Sequence, residues 1–169
     1  AVTLFPYLLK EYNRRWFLIA AAESDGKLLT FGLDRIDGVE NLPSHKYVDY
    51  DGDLNELYED IIGVTYKGDS PVYKIMLWVS DNSKDYVVTK PLHESQRSVS
   101  EAKAQELYSL FPTLSGGQFF IIECKENYEL IRELTSFGKD LVVLSPKPIT
   151  DLVERRVLEM FEIYSKLRT

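Results

Sequence analysis

Two stretches decide how the first third of the chain reads: Arg15-Trp16-Phe17-Leu18-Ile19-Ala20-Ala21-Ala22 and, after Asp25-Gly26, Leu28-Leu29-Thr30-Phe31-Gly32-Leu33. The run Trp16 to Ala22 is the longest apolar stretch in the sequence. It has strand length and falls far short of the ~20 residues a membrane-spanning helix needs. Asp-Gly supplies the positive-φ residues that antiparallel hairpin turns demand, so Leu28–Leu33 reads as the returning strand. Upstream, Val2–Tyr12 is rich in aromatic and β-branched residues and reads as a further strand, and Asp37-Gly38 marks another turn. Short strands with tight turns predict a small β-barrel.

Further along, Asp49-Tyr50-Asp51-Gly52-Asp53 ends the strand-rich part. Asp53 is placed to cap a short helix through Tyr58, with Glu56 at the capping-box position. Lys67-Gly68-Asp69-Ser70-Pro71 is the best linker in the chain. Beyond it we expect strands at Val72–Val79, Ser95–Val99, Phe119–Cys124 and Leu141–Leu144. Helices are expected at Asn82–Lys90, Glu101–Leu110 and Asn127–Phe137, the last stopped by Gly138 as a left-handed C-cap. With 101–117 set aside as an insertion, the order is βαββαβ, the split βαβ of ferredoxin-like domains. In the tail, Ile149, Leu152, Val153, Val157, Met160, Tyr164 and Leu167 recur at helical spacing. Packing within the chain is the expected main role of that helix, and an exposed heptad-like face offers dimerisation as the other.

The fold class expected is therefore α+β. Residues 1–66 form the barrel, 71–146 the ferredoxin-like part and 147–169 a C-terminal amphipathic helix. The 169 residues are 44% hydrophobic and 28% charged, an ordinary composition for a folded soluble protein. Cys124 is the only cysteine, which rules out an intrachain disulfide and a cysteine-based zinc cluster and fits a reducing, cytoplasmic setting. The net charge of −7 argues against a surface that is basic all over. The chain opens with Ala1 inside strand-like sequence, from which we expect a piece of the protein upstream.

Catalytic patterns fail one by one. Asp49–Asp60 lacks the sixth-position Gly and twelfth-position Glu of a calcium loop. Ser80-Asp81-Asn82 and Ser100-Glu101-Ala102-Lys103 echo two serine β-lactamase motifs in reversed order, without Lys-Thr-Gly. Cys124 ends an apolar strand with only His45 and His93 in the chain to serve as a base. Gly116-Gly117 has no accompanying phosphate-binding Lys-Ser/Thr. We expect no catalytic residues, no metal site, no cofactor and no enzymatic activity. A metal-dependent nuclease would need a carboxylate cluster, for which 49–53 is the only candidate, and we discount it.

One basic and aromatic stretch stands apart. Lys10, Arg14 and Arg15 interleave with Tyr7, Tyr12 and Trp16, with Lys27 and Arg35 close in sequence. Guanidinium forks grip phosphate and aromatic faces stack on bases. The commoner arrangement is a solvated hairpin with core aromatics, its charge diluted by Glu11, Glu23, Asp25 and Asp34.

Arg15-Trp16-Phe17-Leu18-Ile19 followed by Phe31-Gly32-Leu33-Asp34-Arg35-Ile36 resembles the signature of the WYL domain. There, a proline-led strand, filled here by Pro6-Tyr7-Leu8-Leu9, precedes a Trp-Tyr-Leu strand and a strand ending Phe-x-Leu-Asp-Arg-Ile. Ile61-Ile62-Gly63-Val64-Thr65 is similar to the segment that closes that family's barrel. Thr89–Gln96, Leu134–Lys139 and Val142–Pro146 resemble the C-terminal extension of many bacterial members. The resemblance implies an Sm/SH3-like barrel, a ferredoxin-like extension, a winged helix-turn-helix head upstream that binds promoter DNA, and a homodimer. It also implies a barrel that senses a ligand, often a nucleic acid or nucleotide, with no membrane partner.

The sequence departs from the family pattern at Phe17, in place of the tyrosine, and at Leu29 and Gly32, where many members carry basic residues. Phe5 stands where histidine is frequent. Arg35 is retained. On the resemblance, Arg35 is the expected phosphate-binding residue, helped by Arg15, Arg14 and Lys10, with Tyr12 as a stacking face. Trp16, Phe17 and Leu18 are expected in the core. The other role for Arg35 is an ion pair with Asp34 or another barrel carboxylate. The competing reading of the whole chain is a protein–protein interaction module without a small ligand.

Overall fold

The computed structural model describes residues 1–168, which separate into two compact units, Ala1–Gly68 and the chain from Asp69 onward. Both combine antiparallel sheet with helices, so the class is α+β.

In the N-terminal unit, β1 (Leu4–Tyr12), β2 (Arg15–Ala22) and β3 (Leu28–Gly32) pair in sequence order as one antiparallel sheet. The register Lys10–Phe17–Gly32 and Leu8–Ile19–Thr30 fixes the two faces. On one face Ile19 is fully buried with Tyr58 and Ile61, and Leu8, Leu28, Leu57 and Tyr66 pack around them. This core seats α1 (Leu54–Glu59), whose N-terminus is capped by the Asp53 carboxylate accepting from the Asn55 N–H at 2.7 Å. The opposite face carries Leu9, Trp16, Leu18 and Phe31, of which Leu9 and Trp16 are half exposed. The expected core role therefore does not hold for Trp16: its position alternates away from Ile19.

Of the expected barrel, the described residues of this unit carry three strands, and Ile61–Thr65, similar to a barrel-closing segment, forms none. The chain from Ile36 to Asp53 forms no helix or strand. Side chains anchor it instead: Tyr7 donates to the Val48 carbonyl at 3.0 Å, and Tyr47 to the Pro6 carbonyl at 2.8 Å. Tyr47 packs edge-on against Phe5 and Tyr7, and Tyr50 lies against Tyr7. The described residues of this unit thus form an open three-stranded sheet. Val64 approaches β3 through a bond from Thr30 Oγ1 at 3.1 Å.

The C-terminal unit runs β4 (Val72–Val79), α2 (Lys84–Thr89), β5 (Arg97–Ser98), α3 (Glu101–Leu110), β6 (Gln118–Lys125), α4 (Tyr128–Ser136), β7 (Leu141–Ser145) and α5 (Lys147–Lys166). Its sheet has the order β5-β6-β4-β7 with every neighbouring pair antiparallel. One face holds Ile75, Leu77, Val79, Phe120 and Ile122, each at most 1% exposed. The other carries Trp78 and Phe119, packed with Leu107, Ala104 and Tyr108 of α3. The segment set aside as an insertion therefore covers a sheet face. The strand expected over Ser95–Val99 shrinks to Arg97–Ser98, because Ser95 meets β6 through its side chain: its hydroxyl accepts from the Glu123 N–H at 2.8 Å. Gly138 has φ 57, the left-handed conformation expected of it. Helix α5 packs by its first half against α4 and β7, with Ile149 fully buried. From Val157 to Arg168 every described residue is exposed.

Candidate functional site

The β1–β2 connection is a two-residue turn in which Asn13 and Arg14 both have positive φ, 50° and 62°. Two such residues match the twist of an antiparallel pair, which is why hairpins use this turn. Asparagine adopts that conformation readily; a bulky residue such as Arg14 does so at a cost. The turn projects Arg14 into solvent between Tyr12 and Arg15, which are paired across the strands.

The third strand delivers the remaining groups to the same end of the sheet. Gly32 stands opposite Phe17, and the chain then enters a 3-10 turn over Leu33–Arg35. Continuing the register by two residues brings position 34 opposite position 15, and Arg15 Nη2 indeed forms an ion pair with the Asp34 carboxylate. That hydrogen bond, aided by the charges of Arg15 and Arg35, holds the Asp34 carboxyl below the usual carboxylate range against the opposing effect of desolvation. The ion pair considered for Arg35 is thus made by Arg15.

Four of the five predicted residues, Tyr12, Arg14, Arg15 and Arg35, lie at this sheet end. Arg14 and Arg35 are exposed, and neither has a hydrogen-bond or ion-pair partner among the described residues. Lys10 lies two pairs further in, on the core face, with its ammonium 4.9 Å from the centre of the Tyr58 ring. Burial lowers its pKa from the ordinary lysine value. The arrangement thus offers two free guanidiniums, a third held by a carboxylate, and a lysine screened by an aromatic face. Chemically it can hold an anion, in the way that exposed arginine forks do.

Sequence reasoning missed Tyr47 and Tyr50, whose rings tie the irregular segment to β1. The signal was present in Tyr47 just before the acidic turn and Tyr50 within it, but nothing local ties them to Tyr7, some forty positions away. Among the described residues no group of three or more His, Cys, Asp or Glu side chains is placed to hold a metal ion. No described helix is long and apolar enough to cross a membrane.

Comparison with known proteins adds the lineage. The WYL domain model matches residues 1–41, and the WCX domain model matches residues 71–161, more than half of the chain. No curated protein matches. Among solved structures, the proteasome accessory factor B/C (PafBC) of Arthrobacter aurescens is similar over 90% of this chain and 21% of its own, at 17% identity and a TM-score of 0.38. A CRISPR Cas-related protein is similar over 98% of this chain and 44% of its own, at 14% identity and a TM-score of 0.49. The chain thus spans less than half the length of either. With a WYL segment followed by a WCX domain over more than half of its length, the chain belongs to the family of WYL- and WCX-domain proteins.

Proposed function

We propose that this chain is the ligand-sensing part of a bacterial transcription regulator, regulatory rather than catalytic and cytoplasmic. In this reading the sheet end of the N-terminal unit binds a nucleic acid or a nucleotide-like anion. The binding modulates promoter recognition by a helix-turn-helix head elsewhere in the protein. Residues 1–66 serve as the WYL-type Sm/SH3-like module, and 71–146 as a ferredoxin-like extension. The β5-β6-β4-β7 order, antiparallel throughout, supports the latter.

The observation that carries the proposal is the convergence of Arg14, Arg15 and Arg35 beside Tyr12 at one sheet end, with Arg14 and Arg35 unpaired. Arg35 is the principal phosphate contact, Arg14 and Arg15 assist, Tyr12 stacks, and Lys10 supplies a longer-range charge. A ligand regulates only if it binds two states of the protein with different affinity. The test is fluorescence anisotropy of short single-stranded DNA, RNA and cyclic dinucleotides at low and moderate salt. Binding should weaken with salt. Arg35→Ala should abolish it while leaving a cooperative melt; loss of folding instead makes Arg35 structural.

A specific observation favours a second reading, a dimerisation or protein-interaction module. Val157, Met160, Phe161 and Tyr164 on α5 and Leu167 at its C-cap recur at heptad-like spacing, each 47–75% exposed. Homodimer formation through this stretch is compatible with ligand sensing. Strong self-association with no response to any nucleotide favours the interaction module alone.

A further inference from the structure

Asp34 is an unexpected component of an anion site, because a carboxylate beside guanidiniums repels the ligand they would hold. Its position is specific. The carboxylate folds back over Gly32: a Cβ at that glycine would lie 2.8 Å from Asp34 Oδ1, and 3.9 Å from Phe17 Cε1 and Arg35 Cδ. Gly32 has φ −68° and ψ 125°, a conformation open to any residue. Its glycine is therefore not required by the backbone. What the missing side chain supplies is volume, and the Asp34 carboxylate occupies it.

We propose that Asp34 is a built-in competitor for the anion: it closes Arg15 to the ligand, and Gly32 provides the space that lets it do so. The inference rests on the reading of this sheet end as an anion site. Both partners of the pair are about half exposed, 46% for Arg15 and 54% for Asp34. Ion pairs at that exposure contribute little stability, so exchanging partners costs little. A phosphate arriving between Arg14 and Arg35 takes the Arg15 fork and sets the Asp34 carboxylate free. The 3-10 turn then loses its tie to the β1–β2 hairpin. That turn leads directly into the irregular segment that begins at Ile36. Anion binding is thereby converted into release of the start of that segment, which gives the ligand two states to distinguish.

The test uses a 5′-fluorescein-labelled oligothymidylate and follows anisotropy over a range of salt with the whole chain. The proteins compared are wild type, Asp34→Asn, Gly32→Ala and, as a charge-matched control, Asp37→Asn. Asp34→Asn should tighten binding by about tenfold, the scale of one charge-assisted hydrogen bond. Gly32→Ala should act in the same direction, because it displaces the carboxylate without removing its charge. Asp37→Asn should stay within about twofold, as expected of an exposed charge without a partner. The dependence of log K on log salt should run parallel in wild type and Asp34→Asn, since Arg15 reaches the same phosphate in both and the counterions released come from the DNA.

If wild type binds and Asp34→Asn binds no better, the competitor role is overturned while the anion site stands. Equal gains in Asp34→Asn and Asp37→Asn, with none in Gly32→Ala, reduce the effect to net charge and also overturn it. Should Gly32→Ala fail to fold, the contrast between the two Asn variants still decides. No binding by any folded variant overturns both the competitor role and the anion-site reading beneath it.

Discussion

Strand β4 of the C-terminal unit and strand β2 of the N-terminal unit are both eight residues long and both central in their sheets. In β4, Ile75, Leu77 and Val79 are fully buried on one side, and Trp78 is buried on the other beneath α3. In β2, burial grows along the strand, from exposed Arg15 and Trp16 to fully buried Ile19 and Ala20. Beyond its exposed start at Val72 and Lys74, β4 is enclosed on both sides and has nowhere to move. A strand that is buried at one end and charged at the other keeps a free rim, where side chains can exchange partners without disturbing the core. The first arrangement makes a scaffold, and the second is the rim at which we propose that an anion binds.

The comparison can be broken by core truncation, the largest effect expected. Phe119→Ala removes a ring 1% exposed from a dense cluster and should cost about 3–5 kcal/mol. Ile19→Ala, in a cluster with fewer partly buried hydrophobics packed around it, should cost about 2 kcal/mol, the low end for such changes. The tryptophans report separately, Trp78 being buried in the C-terminal unit and Trp16 half exposed in the N-terminal one. Urea denaturation followed in variants retaining one or the other should show each truncation shifting its own unit. A shared shift in both would mean that the units melt together and that the contrast has no thermodynamic weight.

A smaller effect sharpens the contrast at the rim. Arg14→Gly relieves a positive-φ arginine and should stabilise the N-terminal unit by about 1 kcal/mol, while weakening oligonucleotide binding by removal of a cation. Stabilisation together with lost affinity is the signature of a residue kept for something other than folding. Denaturation and anisotropy on the same preparation provide the check.

The smallest effect belongs to the scaffold. Asp140 accepts from Ser80 Oγ at 2.6 Å and from Asn82 Nδ2 at 3.4 Å, and the Ser80 bond chiefly holds its carboxyl below the usual range. A lowered folded pKa contributes stability above the unfolded aspartate value of about 3.9. That contribution is lost as pH falls through the folded value. Asp140→Asn should therefore flatten the acid limb of the stability–pH profile of the C-terminal unit below about pH 4 and leave its slope near neutrality unchanged.

Much of the fold was legible because its signals are local. The apolar runs at β2, β4 and β6, the start of α4 and the Gly138 stop are set by residues close in sequence, and the structure places them within a residue or two of the reading. The segment after Leu33 was not legible, because its order comes from Tyr7, Tyr47 and Tyr50, hydroxyls and rings that meet across about forty residues. The candidate site divides in the same way. Its members were visible as interleaved arginines and aromatics. The allocation of Asp34 to Arg15 instead of Arg35 depends on strand register, and a one-residue slip would take Asp34 out of line with Arg15.

Helix α5 carries a consequence for how the chain responds to its own abundance. Its first half is held by packing on α4 and β7, but beyond Val157 the described turns gain no burial. A dozen residues are about the length at which a helix alone in water is marginal. The outer turns therefore draw their order from whatever surface accepts Phe161 and Tyr164. Where that surface is a second copy, helix content becomes a function of protein concentration, rising by mass action as chains meet.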